Sequence, residues 1–141
     1  MLSLDVHDLL QKNVVERGAQ VAVLEAERVA TYAEIGRRSE ALAAFLSAAG
    51  ARRGDRIAIQ LVKSIEEVVA IFAAARLGAV FVVVDPQRSA AQVKHVITDS
   101  GARFLVADGR LYARLVRSGL PEVLECVVVN GRPPADAPGT G

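Results

Sequence analysis

The sequence predicts an α/β fold built on a parallel sheet with helices on both faces, preceded by an N-terminal helix and a short hairpin. Two observations carry that expectation. Between Arg56 and Val129, short apolar runs alternate with amphipathic stretches in the order β-α-β-α-β-α-β. Crossovers of that kind imply parallel neighbours joined by right-handed connections. Second, Val80 to Val84 is an unbroken apolar run bounded by Gly78 behind and Asp85-Pro86 ahead. A run that short reads as a strand covered on both faces, which needs helices above and below it.

Taken in order, Leu4 to Glu16 places Val6, Leu9, Leu10 and Val14 near helical spacing, so an amphipathic helix is expected there, stopped by Gly18. Val21 to Leu24 and Arg28 to Ala30 read as two short strands joined by the polar turn Glu25-Ala26-Glu27. Thr31-Tyr32-Ala33-Glu34 has the form of a capping box, in which hydroxyl and carboxylate satisfy each other's backbone N–H. The helix it opens places Ile35, Leu42, Phe45, Leu46 and Ala49 on one face, with Gly50 as its left-handed stop.

Arg53-Gly54-Asp55 forms a turn into the strand Arg56 to Val62. A second box, Ser64 to Glu67, opens a helix closed at Gly78, and the Val80 to Val84 strand follows. Ser89 to Gln92 is a third box, starting a helix with Val93, Val96 and Ile97 inward and ending at Ser100-Gly101. Arg103 to Ala107 is the next strand. Leu111, Tyr112, Leu115 and Val116 mark a last helix, stopped by Gly119 and Pro121, before the strand Cys126 to Val129. The chain is therefore expected to hold one α/β unit over residues 1–130. The remainder, 131–141, is rich in proline and glycine and reads as linker or frayed end.

Composition narrows the function classes. The 141 residues are 52% hydrophobic but only 4% aromatic, so the core must come from Ala, Val, Leu and Ile. A net charge of +1 gives no long-range pull on nucleic acid or anionic lipid. The densest basic cluster, Arg52, Arg53 and Arg56, lies in a turn and reads as solvated, with a phosphate contact as the alternative. No apolar run approaches the roughly 20 residues that span a bilayer, and Asp5 and Asp8 interrupt what a signal peptide would keep apolar, so the cytoplasm is the default.

The search for chemistry returns few residues. Cys126 sits in an apolar run and reads as a buried thiol rather than a nucleophile. His7 and His95 have no neighbouring ligand residues in sequence, so no metal site is expected. Lys63-Ser64 could hold an anion at a helix start, although capping already employs Ser64. Asp85 could meet a ribose or a metal, but a carboxylate before proline at a strand end is an ordinary turn-former. No turn has the G-x-G-x-x-G or G-x-x-x-x-G-K-[ST] spacing that brings backbone against phosphates. The residues alone therefore nominate no catalytic, cofactor-binding or metal-binding set.

The order of motifs says more. T-Y-A-E-I (Thr31 to Ile35), R-R-G-D-R-I-A-I (Arg52 to Ile59) and the segment Lys63 to Pro86 resemble the opening of an AMP-forming adenylating enzyme. Thr31 to Ile35 is similar to that superfamily's first core motif and Leu77 to Pro86 to its second, while Gln92 to Val106 resembles the helix and strand that follow. Val83 stands where the family usually has proline, and Leu77 where alanine commonly precedes the glycine. The Ala-rich helix and Gln92 to Asp99 lean toward acyl-CoA ligases, hence toward fatty acid metabolism, rather than amino-acid-activating domains.

The resemblance implies a reaction that joins a carboxylate to the α-phosphate of ATP and then passes the acyl group to a thiol. It implies ATP, Mg²⁺ and CoA or a carrier-protein thiol for the complete enzyme. The family's phosphate loop and catalytic lysine lie beyond the matched region, so no cofactor and no site residue are carried over. The expectation is a shortened N-terminal region, inactive alone, whose partner is the remainder of the ligase or a second copy joined through an exposed sheet edge. Two alternatives stand beside it: a non-catalytic module that pairs with a complete ligase, and a small nucleotide-binding α/β protein.

Overall fold

The computed structural model describes residues 5–130, so the expected tail, 131–141, lies outside the described residues. The elements are α1 (Val6–Arg17), β1 (Val21–Glu25), β2 (Arg28–Thr31), α2 (Tyr32–Ala48), β3 (Arg56–Gln60), α3 (Ile65–Arg76), β4 (Val80–Val83), α4 (Ala90–Ser100), β5 (Phe104–Asp108), α5 (Gly109–Ser118) and β6 (Cys126–Asn130). The chain divides into two compact units. Among the described residues, one holds those up to Gly54 together with Lys63–Ala79, and the other holds Asp55–Val62 together with those from Val80 to Asn130.

The first unit joins α1, the antiparallel hairpin β1–β2, α2 and α3. Leu10, Ala30, Ile35, Ile65 and Val69 form its core, with Val14, Tyr32 and Phe72 packed against them. α1 and α2 touch where α2 has no side chain, since a Cβ on Gly36 would come within 2.9 Å of Val14 Cγ2. The buried positions of α2 are Ile35, Ser39, Ala43 and Leu46. Phe45, expected to face inward, is 56% exposed. At 100° per residue it sits about 100° around the helix from Leu46, outside the buried stripe.

The second unit is a four-stranded parallel sheet in the order β4-β3-β5-β6. Ala58, Leu105 and Ala107 on one face pack with Val93 and Ile97 of α4 and Leu115 of α5. Ile57, Ile59, Phe104 and Val106 point to the opposite face and are also buried. β3 and β5 are thus the strands covered on both faces. β4 was expected to be one of them and is not: it pairs only with β3 among the described residues, and Val80 and Val83 are each 50% exposed. A continuous apolar run signals burial, but an edge strand keeps the same residue types while losing one neighbour.

Capping explains most of the boundaries. Ser89 and Gln92 form the full reciprocal box at α4. At Thr31 and Ser64 only the forward half forms, each hydroxyl accepting from the N–H of the glutamate three residues on. Two caps were not anticipated. Asp5 and Asp8 form a reciprocal box that starts α1, and Asp108 caps α5 through the Leu111 N–H. α4 ends at Gly101 in the left-handed region, φ 72°, where a side chain is disfavoured.

Candidate functional site

Strand order places the candidate site. The connection from β3 runs to β4 and that from β5 to β6, in opposite directions along the sheet. The carboxyl ends of the adjacent strands β3 and β5 are therefore the topological switch point, where open α/β sheets hold ligands. Gln60 ends β3 and Asp108 ends β5.

Gln60 is 2% exposed and its Nε2 donates to the Asp85 carbonyl at 3.3 Å. That carbonyl also accepts from the Arg88 N–H at 3.0 Å, and Asp85 Oδ1 accepts from the Gln87 N–H at 2.8 Å. Arg114 of α5 donates to the Arg88 carbonyl at 3.4 Å. The loop from Asp85 to Ser89 is thus held from below by Gln60, from the side by α5, and internally by its own turn. The recess bounded by Gln60, Arg88, Val93, Leu111 and Arg114 has no room for a water molecule. Asp108 is engaged as well, its Oδ1 accepting from the Leu111 N–H at 2.9 Å. The geometry fixes the ends of α4 and α5 and engages these polar groups in caps and turns.

Lys63 and Ser64 belong to the first unit, where they line a groove of about 290 Å³ with Leu24, Glu25, Glu67 and Val68. An anion there would need free N–H groups in the first turn of α3. Two of those donors are taken: the Ile65 N–H by Glu25 Oε2 at 3.2 Å, and the Glu67 N–H by Ser64 Oγ at 3.1 Å. Beside them Arg28 bridges Glu25 and Glu66, and Arg38 reaches Glu66 at 3.6 Å. Partial burial would raise the Glu66 carboxyl, but the Arg28 hydrogen bond and the two guanidinium charges hold it below the usual carboxylate range. The helix start is a carboxylate-rich, internally paired corner rather than an anion site.

The remaining sequence candidates are dispersed. Cys126 is half-buried on β6, and burial pushes its thiol up, away from the thiolate a nucleophile needs. His7 lies on α1 with a buried Nδ1 that has no hydrogen-bond partner, and His95 lies exposed on α4. No group of three His, Cys, Asp or Glu side chains that could hold a metal occurs among the described residues. Arg52, Arg53 and Arg56 are all exposed; the Arg53 side chain lies against Gly78, where a Cβ would meet its Cγ at 3.0 Å, and Arg56 donates to the Ser100 carbonyl. Sequence reading found Asp85 but missed Gln60. Its only signal was an amide closing the run Ile57-Ala58-Ile59, and its partner became visible only once β4 lay beside β3.

Comparison with known proteins adds what these residues do not say. Residues 10–139 match the family model described as AMP-binding enzyme. Over 105 residues the chain is 38% identical to naringenin synthase of Pestalotiopsis fici, covering 74% of this chain and 4% of that protein. Over 103 residues it is 36% identical to malpibaldin synthetase of Mortierella alpina, covering 73% of this chain and 2% of that protein. Among solved structures, the anthranilate CoA ligase AuaEII in complex with anthranoyl-AMP superposes with a TM-score of 0.86 at 24% identity, over 93% of this chain and 26% of that one. VinN in complex with 3-methylaspartate superposes with a TM-score of 0.80 at 30% identity, over 89% of this chain and 34% of that one. The chain thus spans a few per cent of these curated relatives and about a quarter to a third of these solved chains.

Proposed function

The chain belongs to the AMP-binding enzyme family, and from that premise we propose that it is the N-terminal scaffold of an AMP-forming acid–thiol ligase and does not adenylate on its own. The observation that carries the reading is the family match over residues 10–139, set against polar groups at the sheet's carboxyl end that are engaged in caps and turns. In the complete enzyme, a carboxylate would attack the α-phosphate of ATP with Mg²⁺ present, releasing pyrophosphate, and the thiol of CoA or a carrier protein would then displace AMP from the acyl group. The described residues offer neither a Ser/Thr/Gly-rich phosphate loop nor a metal-ligand group for that chemistry. Their part is to fix the sheet and the loop from Asp85 to Ser89.

The test is carboxylate-dependent exchange of pyrophosphate into ATP by the pure chain, across aliphatic, aromatic and amino acids. No exchange is expected alone. Exchange is expected when a second chain supplying the family's phosphate loop and lysine is added. Exchange by the pure chain, or micromolar binding of ATP-Mg²⁺ in a calorimetric titration, overturns the reading. The open edge of β4, with Val80 and Val83 half-exposed, supports a second reading, a module that pairs through that edge with a ligase or with another copy of itself.

A further inference from the structure

α5 carries arginine at 110, 114 and 117, all exposed, while Leu111, Ala113 and Leu115 are buried on its other side. At 100° per residue the three arginines fall within about 60° of arc, along about 10 Å of helix. α5 contains no Asp or Glu. Two further basic residues lie beside the helix: Arg88, whose carbonyl accepts from Arg114, and Lys94, whose Nζ donates to the Ser118 carbonyl at 2.9 Å. No ion pair within 4.0 Å joins any of these five cations to a carboxylate among the described residues; Lys12, Arg17 and Arg37 of the other unit are likewise without one but lie on no common stripe with them.

The arrangement is unfavourable for the isolated helix. Like charges one turn apart repel, and Arg110 stands in the first turn, where the helix dipole disfavours a cation. We propose that this stripe is a docking surface for an acidic helix of a second protein. The proposal does not depend on the ligase reading. The spacing i, i+4, i+7 is itself helical, so a partner helix with Glu or Asp at the same spacing presents carboxylates at matching intervals. The planar guanidinium takes a carboxylate with two parallel hydrogen bonds. Nucleic acid fits less well, since chain net charge is +1 and the aromatic ring of α5, Tyr112, packs against the core. A membrane fits less well too, because α5 exposes no large apolar side chain to insert.

The experiment is fluorescence anisotropy with the full chain and a labelled helix-forming peptide carrying Glu at i, i+4 and i+7. Salt-sensitive binding is expected, and the Arg110→Gln/Arg114→Gln/Arg117→Gln variant should weaken it by about tenfold or more. Lys12→Gln/Arg17→Gln/Arg37→Gln, which removes the same charge from the other unit, should leave it intact. Thermal unfolding of the stripe variant should change little, because relief of the repulsion offsets loss of the Arg114 hydrogen bond to the Arg88 carbonyl. The proposal is overturned by any of four results: no binding at low salt, equal binding of the glutamine version of the peptide, an equal loss in the control variant, or tighter capture of a single-stranded oligonucleotide or phosphatidylserine vesicle by the same arginines.

Discussion

Gln60 shows how a polar side chain is used where the sheet meets its loops. It is nearly inaccessible, and its amide holds a carbonyl that the Arg88 N–H already satisfies. Truncation and isosteric replacement should therefore separate. Gln60→Ala leaves a void and removes the hydrogen bond, and should cost about 2–3 kcal/mol. Gln60→Leu keeps the volume and leaves the Asp85 carbonyl with one partner, and should cost about 1 kcal/mol. Denaturant unfolding of the two variants decides it, and equal losses would mean that the hydrogen bond, not the packing, is what the site requires. At this scale the sequence was legible where a residue acts on its neighbours: Ser64 and Asp85 were assigned as cap and turn-former because their partners lie within three residues. Gln60 was not legible, since its partner lies 25 residues on and depends on strand order.

The β4 strand carries the comparable lesson for an element. Its length and apolar character were readable, but its place at the edge was not, because nothing local distinguishes β3 followed by β4 as outer strand from the reverse. The edge position accounts for a residue that otherwise looks anomalous. The N–H groups of Val80 and Val84 bond to the Asp55 and Ile59 carbonyls of the β3 side. Alternation along a strand then turns the Val83 N–H away from β3 and toward the open edge. Proline, usual in the resembling family at this position, would lose no ladder hydrogen bond there. Val83→Pro should accordingly be tolerated to within about 1 kcal/mol, with a gain possible from restricting the unfolded chain. Val82→Pro, one residue back, removes an N–H directed at β3 and should cost about 3 kcal/mol or more. Melting temperatures of the pair test the register directly, and equal destabilisation would refute it.

At the scale of the molecule, the fold class was legible because periodicity, caps and glycine stops agreed along the whole alternating region. The division into two units was not, since α3, between β3 and β4 in sequence, belongs with α1, α2 and the hairpin. The same topology leaves β4 with backbone groups on one side unpaired among the described residues, flanked by two half-exposed valines. Unpaired strand edges with apolar side chains are templates for further pairing, and natural sheets blunt them with charge, often lysine. Val80 and Val83 supply no such protection. The chain should therefore associate with itself in a concentration-dependent way, or bind a dye for apolar surface, in sedimentation and fluorescence measurements. Val80→Lys/Val83→Lys should suppress that behaviour while leaving unfolding cooperative, because neither side chain contributes to the core on Ala58 and Leu105. A wild-type chain that sediments as a monomer at all concentrations and ignores the dye would show that the edge is inert, and would remove the support for pairing through β4.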